Sequence, residues 1–285
     1  MGIAPGTNWG RSLKDFGEGV LMSYAQVFFS QKRALAILLM LVTFVDFSAG
    51  LSGLTAVIIT QLASRLLGLD HTFIRTGVYS FNSLSVGLCL GVYYTFNFPF
   101  LAILFLASLL CLLLTVWLYG VFSVKGLPFL SFPFIFTIWL ILLAARSYDA
   151  LELSERGIYN YNELFKIGGQ QFVDIMMTIE NYQLPFQFGV YFRSLGAVFF
   201  QYNLIVGVVA AIALLIYSRI AFTLSLLGFY TGYLFYSFVG GDINQLTYSY
   251  IGFNFILSAI AIGGFFLIPS KWSFLTVMII TPLIA

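Results

Sequence analysis

Charge is scarce in this chain: only 8% of its 285 residues are Asp, Glu, Lys or Arg, against about 25% in an average soluble domain. That scarcity excludes a water-soluble globular fold. It also excludes nucleic acid as a partner, because 13 Lys and Arg offset 11 Asp and Glu with no basic run to grip phosphate. Histidine is nearly absent, and His71 stands in a charged loop beside Asp70, where a solvated side chain is the ordinary reading. The two cysteines, Cys89 and Cys111, lie inside apolar segments as small buried hydrophobes, which leaves no disulfide framework and no His/Cys cluster with metal spacing. No G-x-S-x-G or phosphate-cradling Gly-rich loop occurs, so neither an enzyme nor a bound metal or cofactor is expected. A cleavable leader is not expected either, since Arg11, Lys14, Asp15 and Glu18 precede the first apolar stretch at Ala34.

What the chain has in excess is apolar surface, at 60% of residues. Backbone groups in hydrocarbon must pair within their own segment, and these segments lack the alternation of a barrel strand, so an all-α integral membrane protein is expected. Spans are predicted near 34–46, 48–67, 82–95, 98–121 and 128–145, then near 203–217, 219–239, 254–268 and 272–285. Several fall short of the roughly 20 residues that cross the bilayer. Ser48, Gly50, Ser52 and Gly53 break one apolar run, a pattern that can mark a broken helix lining a site. Asp46, the sole acid within the spans, is read as either a functional intramembrane group or a helix cap.

Residues 146–193 are polar and rich in Tyr and Asn, and are expected to form an extramembrane connection and re-entry between a first membrane repeat, 1–145 with an N-terminal amphipathic segment, and a second, 194–285. A cytoplasmic N-terminus puts nine Lys and Arg on the inner side and only Arg146, Arg156, Lys166 and Arg193 outside, as the positive-inside rule asks.

The chain also repeats itself. Gln26-Val27-Phe28-Phe29 recurs as Ala197-Val198-Phe199-Phe200, an offset of 197 − 26 = 171, and Phe81-Asn82 recurs as Phe253-Asn254, an offset of 254 − 82 = 172. An odd number of spans, five, separates the copies, which predicts two five-span repeats of inverted topology with a central pore between them. Asn82 and Asn254 open their spans, where an Asn can bond helix-end backbone groups or contact a solute. Ser131, between Pro128 and Pro133, can turn its hydroxyl to a cavity or bond back to its own helix. Almost no ionisable group lies in the spans, so the path they line suits a neutral solute.

At these residues the sequence resembles the urea transporter family. Leu127-Pro128-x-x-Ser131-x-Pro133-Phe134 is similar to that family's L-P-x-x-T-x-P-F signature, Tyr79-Ser80-Phe81-Asn82 through Gly87 to its G-L-Y-G-x-N-x-x-L-x-G element, and Gln26-Val27-Phe28-Phe29 to the opening of its first pore helix. In the second half Ala197 through Asn203, and Gly252-Phe253-Asn254 with Gly263-Gly264, fit the corresponding elements. The resemblance implies a channel-like passive transporter of urea or a close small neutral amide, a homotrimer set in membrane lipid, here of the bacterial inner membrane. By motif, Phe29, Phe81, Val198, Phe253 and Leu257 would wall a solute slot, and Gln26 and Ser131 would supply its polar edge. The chain departs from the pattern at Ala197, where the family has an acidic or amide residue, and at Ser85, where it has a wall aliphatic. The second proline element, expected near 131 + 172 = 303, and a tenth span are absent, so the last span is missing and truncation is expected. The alternatives are a structural or interaction subunit that retains the fold, or a channel for ammonia or water.

Overall fold

The computed structural model describes residues 9–154, 158–242, 246 and 251–284. Helices come in the order α1 (Trp9–Gln26), α2 (Arg33–Thr43), α3 (Phe47–Leu66), α4 (His71–Arg75), α5 (Phe81–Tyr93), α6 (Phe98–Ser123) and α7 (Phe132–Ala145). They continue with α8 (Ile158–Glu180), α9 (Phe186–Ala197), α10 (Leu204–Tyr217), α11 (Arg219–Phe238), α12 (Gly252–Ile260) and α13 (Lys271–Ile280). Among the described residues the one β pairing is an isolated bridge, Tyr94 to Leu153. The protein is an all-α membrane protein.

Each of the nine apolar segments forms a helix close to its expected limits. Three are long and apolar enough to cross a bilayer alone: Phe47–Leu66, Phe98–Ser123 and Arg219–Phe238. The segment expected to start at 128 begins at Phe132 instead, because Leu127 to Phe129 are irregular, Leu130 and Ser131 form a turn closed by the Phe132 amide on the Phe129 carbonyl, and Pro133 sits in the first helical turn. Helices α1, α4, α8 and α9 add to the nine; α8 lies within residues 146–193, and α9 starts there and runs on to Ala197. α12 runs on into a π-helical stretch, Ala261–Phe266, near Gly263-Gly264. Local chemistry sets several helix starts: the side chains of Asp46, Asn97 and Asn203 accept backbone N–H groups of α3, α6 and α10. Asp46 is thus seen as a cap, bonded to the Ala49 amide at 3.0 Å.

Two hydrogen bonds fix how the halves relate. Lys32, just before α2, donates its Nζ to the carbonyl of Tyr217 at the end of α10. Gln201, just before α10, donates to the carbonyl of Thr43 at the end of α2, 2.5 Å away. α2 and α10 occupy equivalent places 171 residues apart (204 − 33 = 171), yet pack against each other in opposite directions. The second half is therefore inverted relative to the first.

The inverted copies share their crossings. Within the first half, a Cβ on Gly87 of α5 would lie 2.8 Å from the Ala56 Cβ of α3; within the second, one on Gly228 of α11 would lie 2.3 Å from the Ala259 Cβ of α12. Ala56 and Gly228, like Gly87 and Ala259, are 172 apart. Each crossing needs one glycine and one alanine, and the two copies place the glycine on opposite partners. Ser52 and Gly53 also serve this packing, against Leu88 and Gly91. α3 is continuous through Ser48, Gly50, Ser52 and Gly53, so these residues mark a close crossing and not a broken helix at a site.

Candidate functional site

α1 and α9 both end inside the bundle. Their final turns are superimposable in pattern: Phe28 N bonds Ala25 O at 3.0 Å and Phe29 N bonds Gln26 O at 2.9 Å, while Phe199 N bonds Gly196 O and Phe200 N bonds Ala197 O, each at 2.9 Å. Both turns close on a phenylalanine in the left-handed region, with φ 54° at Phe29 and 59° at Phe200. That conformation costs a non-glycine residue about 1–2 kcal/mol, and it swings the two rings away from their helix axes. The rings one position earlier, Phe28 and Phe199, meet edge to face with centroids 5.9 Å apart, so the paired turns face each other where the halves join.

Beside this junction lies a cavity of about 340 Å³. A water molecule occupies about 30 Å³ of liquid, so the space admits a small solute with water around it. The α1 turn contributes Gln26, Val27 and Phe29, the α9 turn Val198 and Phe200, and α5 contributes Phe81 and Ser85. α12 supplies Phe253, Asn254, Leu257, Ser258 and Ala261 of the following π turn, and the segment into α7 supplies Leu130, Ser131, Phe134 and Ile135. All seven residues singled out from the sequence, Gln26, Phe29, Phe81, Ser131, Val198, Phe253 and Leu257, are brought together here. Ala197 is buried and does not reach the cavity.

Rings dominate the walls. Phe29 stacks on Phe265 of the π turn at 4.8 Å with 27° between planes, Phe200 packs on Phe134 at 5.4 Å, and Phe81 on Phe129 at 6.1 Å. The sequence reading missed Phe134 and Phe200 as lining. Phe200 was in view as the 171-residue mate of Phe29, and that relation was the signal that could have placed it on the wall.

The polar lining divides by whether its hydrogen bonds are already made. Ser85 bonds back to the Phe81 carbonyl at 3.3 Å. Asn82, behind the wall, donates its amide to the Leu130 carbonyl at 3.0 Å, bracing a residue held at φ 45°. Its mate Asn254 instead lies exposed in the lining. Ser131 starts α7 without a cap bond, its hydroxyl unbonded among the described residues and exposed. The Gln26 carboxamide reaches the same space, half-buried. No titratable side chain is in the lining, and among the described residues no group of three His, Cys, Asp or Glu could hold a metal.

A larger hollow of about 510 Å³ between α3 and α6 is lined solely by apolar side chains such as Leu62, Leu66, Phe105 and Leu113. It lacks any group to orient a polar solute. Compared with known proteins, the chain is matched over residues 18–285 by the model of a family described as urea transporter.

Proposed function

This chain belongs to the urea transporter family, and from that premise we propose that the cavity at the junction of the inverted halves is the narrow part of a passive path for urea or a close neutral amide. Phe29, Phe81, Val198, Phe253 and Leu257 wall it, and Gln26 and Ser131 form the polar edge. The observation that carries this reading is the convergence of all seven residues on one uncharged cavity.

The chemistry follows from the solute. Urea is flat and neutral, with one carbonyl acceptor and two amino donors. Ring faces accept its plane and displace water from its two flat sides, while the Ser131 hydroxyl and the Gln26 amide replace water lost at its edge. Each replaced hydrogen bond contributes about 1 kcal/mol net, so dehydrating urea is offset, whereas the lining holds no charged group to compensate a dehydrated ion. The C-terminal ends of α1 and α9 point at the junction, and their partial negative charge favours N–H donors and disfavours anions.

We further propose that the chain works as a homotrimer in the bacterial inner membrane, N-terminus cytoplasmic, with membrane repeats 1–145 and 194–285 joined by 146–193. The lysine and arginine bias supports the orientation, and family membership supports the assembly. Reconstituted into liposomes, the full chain is expected to raise urea permeability well above that of empty vesicles in an osmotic shrinkage assay, with urea analogues competing. Permeability equal to empty vesicles would overturn the reading, and ammonia or water conduction without urea conduction would reassign the solute.

A further inference from the structure

α8 is divided into two arms by Gly169, whose φ of 66° and ψ of −169° leave the helical region. Its second arm, residues 170–180, lies across helix ends and not along a helix. Val173 and Met176 are buried against Val45, which follows α2, and Ile205 in the first turn of α10. Glu180 pins the arm's end, accepting the Leu204 amide at 2.6 Å and pairing with Arg193 at 3.5 Å. Val45 stands two residues before α3, which is long enough and apolar enough to cross a bilayer, and the ends of such a helix lie at headgroup depth, so this arm runs along the bundle's rim at that depth.

The rest of its surface carries two stripes, with Met177, 39% exposed, at the edge between the buried face and the polar one. At 100° per residue, Phe172, Ile175 and Ile179 form one stripe beside the buried face, at 40%, 56% and 38% exposure. Gln170, Gln171, Asp174 and Thr178 form a second stripe on the side away from the bundle, all exposed. A rim helix in water gains nothing from an apolar flank, and one buried between subunits has no use for so broad a polar back. Protein below, apolar flank beside it and polar back above is the division of a helix lying in the membrane–water boundary. Beyond its end Tyr182 and Phe186 are exposed at 68% and 48%, as in an interfacial aromatic belt.

We propose that residues 170–180 lie in the headgroup–acyl boundary of the bilayer, with Phe172, Ile175 and Ile179 in contact with lipid, so that part of the polar connection is a membrane-surface element. Single nitroxide labels on Phe172→Cys, Ile175→Cys, Ile179→Cys, Asp174→Cys and Thr178→Cys, in the full chain reconstituted into phosphatidylethanolamine–phosphatidylglycerol vesicles, test it by collision with oxygen and with a water-soluble nickel chelate. The native Cys89 and Cys111 are buried, and the unsubstituted chain serves as the labelling blank. Expected is an oxygen-to-nickel accessibility ratio several-fold higher at 172, 175 and 179 than at 174 and 178. Equal nickel access at all five sites would put the stripe in water and overturn the proposal. Exclusion of both reagents at 172, 175 and 179 would put it in a subunit contact and overturn it equally. If a cysteine variant does not fold, Ile175→Trp replaces it, with quenching by brominated lipid expected and its absence counting against the proposal.

Discussion

The hydroxyl of Thr137 bonds the Pro133 carbonyl at 2.7 Å, as those of Ser52, Ser108 and Thr115 bond carbonyls in their own helices. Ser131, six residues before Thr137 and ahead of the first helical turn, has no carbonyl four residues back at helical geometry, and its hydroxyl stays available to the cavity. Ser131→Ala is expected to lower urea permeability about fivefold, the equivalent of about 1 kcal/mol, with the melting temperature unchanged, while Ser131→Thr retains flux; stopped-flow shrinkage and thermal unfolding separate the two. Asn82→Ala is expected to differ. It removes the brace on the Leu130 carbonyl, so it lowers both flux and melting temperature, by about 1–3 kcal/mol of stability. The sequence could raise Asn82 and Asn254 as a pair but not separate their roles, because the separation depends on whether a carbonyl from 48 residues away arrives at the side chain.

At the scale of elements, the glycine–alanine exchange between the two crossings makes a reciprocal test. Gly228→Ala puts a methyl 2.3 Å from the Ala259 Cβ, and overpacking of that kind costs about 1–3 kcal/mol. Adding Ala259→Gly rebuilds the arrangement of the Ala56–Gly87 crossing. The double variant is expected to recover most of the melting temperature lost by Gly228→Ala, and strict additivity of the two losses would show that the crossings are not equivalent. The apolar helices were legible because in lipid the requirement for continuous apolar surface is written residue by residue. α1, α8 and α9 were not legible as helices from hydropathy, since they carry charged or polar residues among their apolar ones: Lys14 and Glu18 in α1, Asp174 and Glu180 in α8, Arg193 in α9. α1 and α9 bury their apolar faces against other helices, and the second arm of α8 buries only Val173 and Met176, so each apolar face is narrower than a membrane-crossing segment needs.

For the whole molecule, an uncharged lining predicts indifference to protons. Urea flux through liposomes is expected to be flat between about pH 5 and 8, and an imposed pH gradient should drive no accumulation, because no lining side chain titrates in that range. A bell-shaped or sigmoidal profile would point to a charged group entering the path. The membrane class, the nine apolar helices and the 171–172 residue period were all present in the sequence, since each rests on side-chain chemistry or on self-similarity along the chain. Tertiary structure decided what a one-dimensional pattern cannot hold: that α2 and α10 run opposite ways against each other, that Phe29 and Phe200 leave their helices through left-handed turns, and that Ser131 faces the cavity while Ala197 does not. Periodicity records which residues suit lipid or a helix interior. The site forms where two helix ends stop short inside the bundle, and the direction of a side chain at such an end is set by packing between segments far apart in the chain.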